Sequence, residues 1–170
     1  MRKLVLFIAT SLDGYIARSS GDINWLFSDQ DYGYAEFFAR IDTVVMGRKT
    51  YEQSLGFGEY PYKGKRGFVF SRTPRAPDQN VIFVAADPAA FASELKRRPG
   101  KDIWLVGGAQ LVAECMKHGL VDEYIISVHP VILGEGLPLF LPGFPEQKLE
   151  FIRSESFTSG LVQLSYRRAR

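Results

Sequence analysis

The chain has 170 residues, of which 46% are hydrophobic and 24% are charged. These values are typical of one folded domain with its own core and argue against a disordered chain. The 21 basic and 19 acidic residues give a net charge of +2, which favours neither a nucleic acid nor a membrane as partner. Because Cys115 is the single cysteine, no internal disulfide can form, and we expect a cytoplasmic protein.

Apolar runs and helical spacing predict an alternation of strands and helices along most of the chain. The apolar run at 4–9 is too short to cross a membrane and predicts a strand buried on both faces, which continues at 15–17. The further predicted elements, in chain order, are a helix at 29–40, a strand at 43–46, a short helix at 49–54, strands at 67–70 and 81–85, a helix at 87–98, a strand at 103–106, a helix at 109–118, a strand at 123–128 and a hairpin of strands at 150–157 and 161–168.

This order of elements predicts a single α/β domain over residues 1–170. Strands that alternate with helices favour a mostly parallel sheet with helices on its faces. The last two segments alternate apolar and polar residues around Ser159-Gly160, which is typical of an antiparallel hairpin with one solvated face. We therefore expect a central mixed sheet of roughly seven to nine strands, flanked by helices and closed by a C-terminal antiparallel hairpin.

Two glycine turns, each between a buried strand and a helix, are candidate binding sites for an anion. In VVMGRKTYE the strand ends at Gly47, and Arg48, Lys49 and Thr50 open the next helix. In IWLVGGAQL the pair Gly107-Gly108 leads into Ala109. Free amide groups at a helix N-terminus favour an anion, and glycine lets the backbone come close to it. The alternative is that both are plain turns chosen for tight packing, with solvated basic residues.

A third candidate follows the strand at 67–70, in the segment FVFSRTPR. Arg72 and Arg75, with the hydroxyls of Ser71 and Thr73, could clamp a phosphate, because the planar fork of arginine suits that task. Taken alone, the segment is better explained as a basic surface turn. Ligands of open α/β sheets bind at the carboxyl ends of strands, however, where all three segments are expected to lie.

These segments resemble, in order and rough spacing, those of the dihydrofolate-reductase-like superfamily. VVMGRKTYE is similar to its MGR-x-T segment, IWLVGGAQL to its Gly-Gly segment, and FVFSRTPR to the strand and Ser/Arg turn between them. SLDGYIA and PVILGEGLPLF resemble more closely the branch with the reductase domain of riboflavin biosynthesis and its small stand-alone relatives. The resemblance covers nearly the whole chain and implies an NADPH-dependent reductase of a pteridine, pyrimidine or related heterocycle.

The resemblance also implies which residues would bind NADPH. Gly47, Arg48, Lys49 and Thr50 would hold the pyrophosphate, and Ser71 and Arg72 would meet the 2′-phosphate of the adenosine. The nicotinamide–diphosphate groove would be lined by Gly107, Gly108, Ala109, Gln110 and Leu111, with Ala9 and Ile16 beside the nicotinamide. In this superfamily the Gly-Gly peptide bond is commonly cis. No cysteine–histidine cluster is present that would bind a metal ion.

The proton donor and the substrate remain open at this point. Asp31 falls where folate reductases carry a helix carboxylate, a small gap would select Asp29, and Asp13 of the SLDG segment is an alternative. Asp13 beside Gly14 is equally well explained as a turn residue. Trp25 could wall a substrate pocket or belong to the core. Lys65 stands where folate reductases grip the substrate tail with arginine, and a point charge does not replace that fork.

Three activities follow from this pattern. The first is NADPH-dependent reduction of a heterocyclic substrate by a cytoplasmic homodimer. The second is the 5-amino-6-(5-phosphoribosylamino)uracil reductase step of riboflavin biosynthesis, which needs a second cationic pocket for the substrate phosphate. Lys63, Lys65 and Arg66 are candidates for that pocket. The third is a non-catalytic NADPH-binding sensor or scaffold.

Overall fold

The computed structural model describes all residues, 1–170. The elements in chain order are β1 (Leu4–Ser11), β2 (Tyr15–Ala17), α1 (Tyr34–Arg40), β3 (Ile41–Gly47), α2 (Arg48–Leu55), β4 (Arg66–Phe70), β5 (Val81–Val84), α3 (Pro88–Arg97), β6 (Asp102–Gly107), α4 (Ala109–Lys117), β7 (Glu123–His129), β8 (Leu137–Pro138), β9 (Leu149–Ser156) and β10 (Val162–Arg168).

Eight strands form one central sheet in the order β5-β4-β3-β6-β1-β7-β10-β9. The first six strands of that order run parallel, because crossover connections join them along the chain. β10 pairs antiparallel with both β7 and β9, so the C-terminal hairpin forms one edge. The α/β class, the mixed, mostly parallel sheet and the terminal hairpin are thereby confirmed.

The core lies on both faces of this sheet. On one face, residues such as Leu6, Leu105 and Val112 pack together beneath α3 and α4. On the other, Val5, Val44 and Trp104 pack with aromatic residues from α1 and the 56–65 loop. Strands buried on both faces need continuous apolar runs, which explains why the sequence pattern identifies them. No helix of the structure has the length and hydropathy that would be needed to traverse a bilayer.

Two local predictions need correction. The helix expected from residue 29 begins only at Tyr34, because Tyr32 (φ 51°) and Gly33 (φ 77°) adopt left-handed backbone conformations that interrupt a right-handed helix. Residues 15–17 do not continue the first strand. They form β2, which turns away and pairs antiparallel with β8 in a small separate ribbon.

Candidate functional site

A cleft of about 2000 Å³ opens at the carboxyl ends of the parallel strands. Its lining includes the last residues of β3 and β4, the first turns of α2 and α4, and the loop between β2 and α1. This is the edge at which open α/β sheets bind ligands. Twelve of the thirteen residues expected to contact the cofactor line it, namely Ala9, Ile16, Gly47, Arg48, Lys49, Thr50, Ser71, Arg72, Gly108, Ala109, Gln110 and Leu111. Gly107, the thirteenth, is bonded to Gly108.

The two glycine turns leave helix N-termini uncapped at this cleft. Gly47 precedes α2 and Gly108 precedes α4, and neither helix receives a side-chain hydrogen bond at its first turn. At α3, by contrast, the carboxylate of Asp87 accepts a hydrogen bond from the N–H of Ala90 at 2.8 Å. Uncapped N–H groups and the positive end of the helix dipole attract an anion. α2 and α4 therefore offer two anion-binding ends to the same cleft.

The glycines of these turns leave space that the protein itself does not fill. A Cβ atom built on Gly47 would come no nearer than 3.9 Å to any atom beyond its two chain neighbours, the closest being Gly107 O and Gly108 N. A Cβ on Gly108 would lie 3.5 Å from Oγ1 of Thr50, an ordinary contact. The Gly107–Gly108 peptide bond is cis, as the resemblance implies. The gap between the two turns thus suits a ligand that approaches the backbone closely.

All three basic side chains of the cleft follow the ends of β3 and β4. They are Arg48, Lys49 and Arg72, and each is exposed. Arg48 lies 3.8 Å from the carboxylate of Glu52, a loose surface contact that leaves its guanidinium accessible. With the hydroxyls of Thr50 and Ser71, these residues form a cationic, hydrogen-bonding surface that could hold phosphate groups.

Four aromatic residues line another part of the cleft, and we call Phe7, Tyr34, Tyr62 and Trp104 the aromatic wall. The Trp104 ring contacts those of Phe7, Tyr34 and Tyr62 edge to face, with centroids 5.8, 5.9 and 5.1 Å apart. Its Nε1–H donates to the carbonyl of Phe7 at 2.9 Å, which fixes the indole. A rigid wall of this kind offers flat apolar surface to a planar ligand.

The two phenols of the aromatic wall stay protonated at neutral pH. Burial raises the pKa of Tyr34, and the carboxylate of Asp31 raises it further. Burial also raises the pKa of Tyr62, with smaller contributions from the neighbouring tyrosines Tyr34 and Tyr60. Both hydroxyls can therefore donate hydrogen bonds to a ligand.

Asp31 lines the cleft beside the aromatic wall. Its carboxylate is exposed and accepts a hydrogen bond from the N–H of Ala35 at 3.1 Å, in the first turn of α1. Asp29, the neighbouring alternative, instead accepts from the hydroxyl of Tyr32 at 2.6 Å and is not part of the lining. That hydrogen bond lowers the pKa of Asp29.

Asp13 lies outside the cleft lining and is engaged in holding a loop. Its carboxylate accepts hydrogen bonds from the Ser11 hydroxyl at 2.6 Å and from the N–H groups of Leu133 and Gly134 at 3.1 and 2.8 Å. The bond from Ser11 is the largest of the effects that lower the pKa of Asp13, and those from the two amides add to it. A carboxylate stabilised in its ionised form is a poor proton donor.

Trp25 and Lys65, expected at the substrate, also lie outside the lining. Trp25 is a core residue whose ring meets that of His129 edge to face at 5.3 Å. The ammonium of Lys65 donates to the carbonyls of Phe38 and Ile41 at 2.7 and 2.8 Å. It thus satisfies carbonyls on both sides of the junction between α1 and β3, which explains why it is not directed at the cleft.

The sequence pattern does not identify the aromatic wall or His129 as cleft residues. Phe7, Tyr34, Tyr62 and Trp104 come from four separate segments, so no local spacing connects them. The aromatic content of the 56–66 loop was the one visible signal. His129 ends β7 and also lines the cleft, where its Nε2 accepts a hydrogen bond from the N–H of Phe27 at 3.1 Å.

The chain is similar over nearly its full length to other proteins. It is 43% identical over 173 residues to the "Uncharacterized protein YwjB" of Bacillus subtilis (strain 168), with 99% of each chain covered. The crystal structure of a "Putative riboflavin biosynthesis protein" from Shewanella sp. PV-4 superposes with a TM-score of 0.88, at 31% identity over 99% of both chains. Dihydrofolate reductase from Enterococcus faecalis, solved with NADP(H), gives a TM-score of 0.72 at 16% identity, over 99% of this chain and 97% of that one.

The fold and the glycine turns define the class as dihydrofolate-reductase-like, and the last of these neighbours shares that fold. More specifically, the model of the RibD C-terminal domain family matches residues 2–163. The chain belongs to the RibD C-terminal domain family. Both the superfamily and the branch expected from the sequence motifs are thereby confirmed, and a reductase-type function follows from them.

Proposed function

We propose that the protein is an NADPH-dependent reductase of a heterocyclic substrate. The observation that carries the proposal is one cleft that holds two uncapped helix N-termini with three cations and, beside them, an aromatic wall with one carboxylate. The first set of groups suits the phosphates of a dinucleotide, and the second suits a planar ring. The Enterococcus faecalis dihydrofolate reductase of the same fold was solved with NADP(H), which supports this cofactor.

The residues of the glycine turns fit this cofactor. Gly47, Arg48, Lys49 and Thr50 would hold the pyrophosphate with backbone amides and positive charge. Arg72, with Ser71, would bind the 2′-phosphate, and the absence of that phosphate in NADH would leave this guanidinium without its partner. Gly107 and Gly108 with Ala109, Gln110 and Leu111, and Ala9 with Ile16 across the cleft, would hold the nicotinamide end.

The protein's own part in the reaction is orientation and proton supply. When bound, NADPH would supply the hydride that adds to the carbon of a C=N bond, while a proton adds to the nitrogen and NADP⁺ is left. The aromatic wall would hold the ring flat, and the hydroxyls of Tyr34 and Tyr62 would fix its edge by hydrogen bonds. Asp31 would pass the proton, since it is the carboxylate of the cleft beside the wall and is open to solvent.

One specific observation favours the second activity. The 31% identity to the "Putative riboflavin biosynthesis protein" extends over 99% of both chains, so a pyrimidine substrate is the alternative to a pteridine. The placement of Lys65 at the end of α1 counts against the phosphorylated form of that pyrimidine, because its ammonium is already bound by two carbonyls.

We further propose a cytoplasmic homodimer that forms at β9. All eight residues of this edge strand are exposed, including Leu149, Phe151 and Ile152. An exposed apolar edge strand is a template for pairing with another chain. Sedimentation velocity should give a dimer, and Phe151→Lys should shift it to the monomer; a monomeric wild type would contradict the proposed assembly.

Titration with nucleotides tests the reductase proposal. NADPH should quench the intrinsic tryptophan fluorescence in a saturable way with micromolar affinity, and NADH should bind more weakly. In a second step, NADPH absorbance is followed with 7,8-dihydropterin and with 5-amino-6-ribosylaminouracil as probes. Loss of absorbance that depends on one of them supports a reductase. Absence of saturable binding of either nucleotide would contradict the proposal.

A further inference from the structure

We infer that the substrate of this cleft is a planar heterocycle that carries neither a phosphate nor a carboxylate tail. The inference rests on the proposed function and concerns the part of the cleft formed by the aromatic wall and Asp31. It follows from the distribution of charge, since the cations of the cleft all lie at the turns after β3 and β4, where the nucleotide phosphates are expected.

Three basic residues in or next to α1 do not line the cleft and are held by other partners. Lys65 donates to the carbonyls of Phe38 and Ile41. Lys101 donates to the carbonyl of Ala39 at 2.9 Å. Arg40 makes bonds of 2.8 Å to the carboxylates of Asp102 and Glu123. Binding a substrate anion with any of them would break these hydrogen bonds, so the fold uses its nearby cations to hold α1 in place.

The charge that does face the aromatic part of the cleft is negative. Asp31 is exposed there, and its carboxylate is close enough to Tyr34 to raise the pKa of that phenol. A phosphate or carboxylate tail placed beside it would meet like charge without a compensating cation. A ring with N–H groups would instead find an acceptor in Asp31 and donors in the two hydroxyls of the wall.

The two tryptophans of the chain allow binding at the wall to be observed directly. Both side chains are buried, but Trp104 lines the cleft as part of the wall, whereas Trp25 does not line it. Because Nε1 of Trp25 has no hydrogen-bond partner, Trp25→Phe removes none and leaves Trp104 as the single reporter.

The experiment titrates the Trp25→Phe protein with 5-amino-6-ribosylaminouracil and with its 5′-phosphate, two probes that differ only in the anion. The quenching of Trp104 fluorescence should show that the unphosphorylated compound binds at least tenfold more tightly than its 5′-phosphate. Asp31→Asn should reduce the difference in affinity between the two probes. Glu36→Gln is the control, since it removes one negative charge from α1 outside this cleft, and it should leave that difference in affinity unchanged.

Two results would overturn the inference: equal or tighter binding of the phosphorylated probe, or no quenching of Trp104 by either probe. NADPH is titrated into the same protein sample, and its binding reports on the reductase proposal separately. Saturable NADPH binding together with tighter binding of the phosphorylated probe would refute the inference of a substrate without an anionic tail, but it would be consistent with the proposed reductase. Preferential binding of the unphosphorylated probe without binding of NADPH would refute the NADPH-dependent reductase and support a ligand without an anionic tail.

Discussion

Nε2 of His129 accepts a hydrogen bond from the backbone N–H of Phe27 at 3.1 Å. Its Nδ1 lies 3.1 Å from the carbonyl of Ser127, so the proton of a neutral ring belongs on Nδ1. The ring also packs against those of Trp25 and Phe27, with centroids 5.3 and 4.9 Å apart. His129 thereby ties the end of β7 to the loop that carries Phe27 and Asp31 into the cleft.

This contact predicts a loss of stability in mild acid. Burial lowers the pKa of His129 below its ordinary value of 6.5, so the folded state favours the neutral ring more than the unfolded state does. The resulting stabilisation is complete above pH 6.5 and is lost as the pH falls below that value toward the lowered pKa. Protonation would also set two N–H donors against each other at Phe27. The free energy of unfolding should therefore decrease between pH 7 and 5.

Urea unfolding of the wild type and of His129→Phe at several pH values measures this effect. The variant keeps an aromatic ring but loses the acceptor for Phe27, so at pH 7.5 it should be about 1 kcal/mol less stable. Its stability should change less than that of the wild type between pH 7 and 5. Parallel pH profiles of the two proteins would show that His129 is not the titrating group.

Lys65 should contribute to stability and not to substrate binding. Its ammonium serves two carbonyls at the end of α1 and lies 4.2 Å from the centroid of the Phe38 ring. Lys65→Met should lower the free energy of unfolding by about 1 kcal/mol, because both carbonyls lose their donor. Lys63→Met is the matched control, since Lys63 pairs only with Glu59 on the surface. Weakened ring binding at unchanged stability in Lys65→Met would contradict this role.

The sequence predicts the sheet well because its central strands are continuous apolar runs. Val44–Met46 and Ile103–Leu105 are buried on both faces, and such runs are recognisable without knowledge of their partners. The β2–β8 ribbon escapes prediction, because Leu137–Pro138 is too short to show a period and its partner lies more than a hundred residues away. The predicted start of α1 is wrong for a local reason, namely the left-handed backbone conformation of Tyr32 and Gly33.

The candidate site also has a part that could be predicted from the sequence and a part that could not. The turns at Gly47–Thr50 and around Ser71 could be predicted as cleft lining, because glycine, basic and hydroxyl residues are adjacent in sequence there. The aromatic wall could not be predicted, because Phe7 and Trp104 meet only once β1 and β6 are paired. The sequence does not show that the charged groups of Asp13 and Lys65 already have partners. In the structure both form hydrogen bonds with residues that are distant in the sequence, Gly134 and Phe38.

Gly47→Ala should weaken NADPH binding without unfolding the protein. Gly47 has φ −76° and ψ 161°, which alanine adopts readily, and its new methyl group would contact no protein atom closer than 3.9 Å. That group would occupy the space between the two glycine turns. Overpacking against the ligand costs about 1–3 kcal/mol, which corresponds to an increase in Kd of roughly 5- to 150-fold. Fluorescence titration and thermal unfolding are measured on the same sample; tight binding by the variant would contradict the proposed position of the cofactor.

Asp31 and Asp13 should differ sharply in their effects on turnover. Asp31→Asn keeps an oxygen that can accept from the N–H of Ala35 but cannot pass a proton, so kcat should fall roughly 100-fold with NADPH affinity unchanged. Asp13→Asn should reduce stability through the 133–134 loop and leave kcat of the folded enzyme near that of the wild type. Steady-state kinetics with whichever probe is reduced, alongside thermal unfolding, separates the two. A larger loss of kcat in Asp13→Asn than in Asp31→Asn would indicate that Asp13, and not Asp31, supplies the proton.

We propose that the turn after β4 recognises the 2′-phosphate of NADPH. Titration of the wild type, Arg72→Ala and Arg75→Ala with NADPH and with NADH measures this recognition. Arg75 is the matched control, since its guanidinium lies over the Phe83 ring, 5.8 Å from the centroid, outside the cleft lining. Arg72→Ala should weaken NADPH binding roughly tenfold or more, leave NADH binding unchanged and so abolish the preference, while Arg75→Ala behaves as the wild type. Equal affinity of Arg72→Ala and the wild type for NADPH would show that Arg72 does not bind the 2′-phosphate.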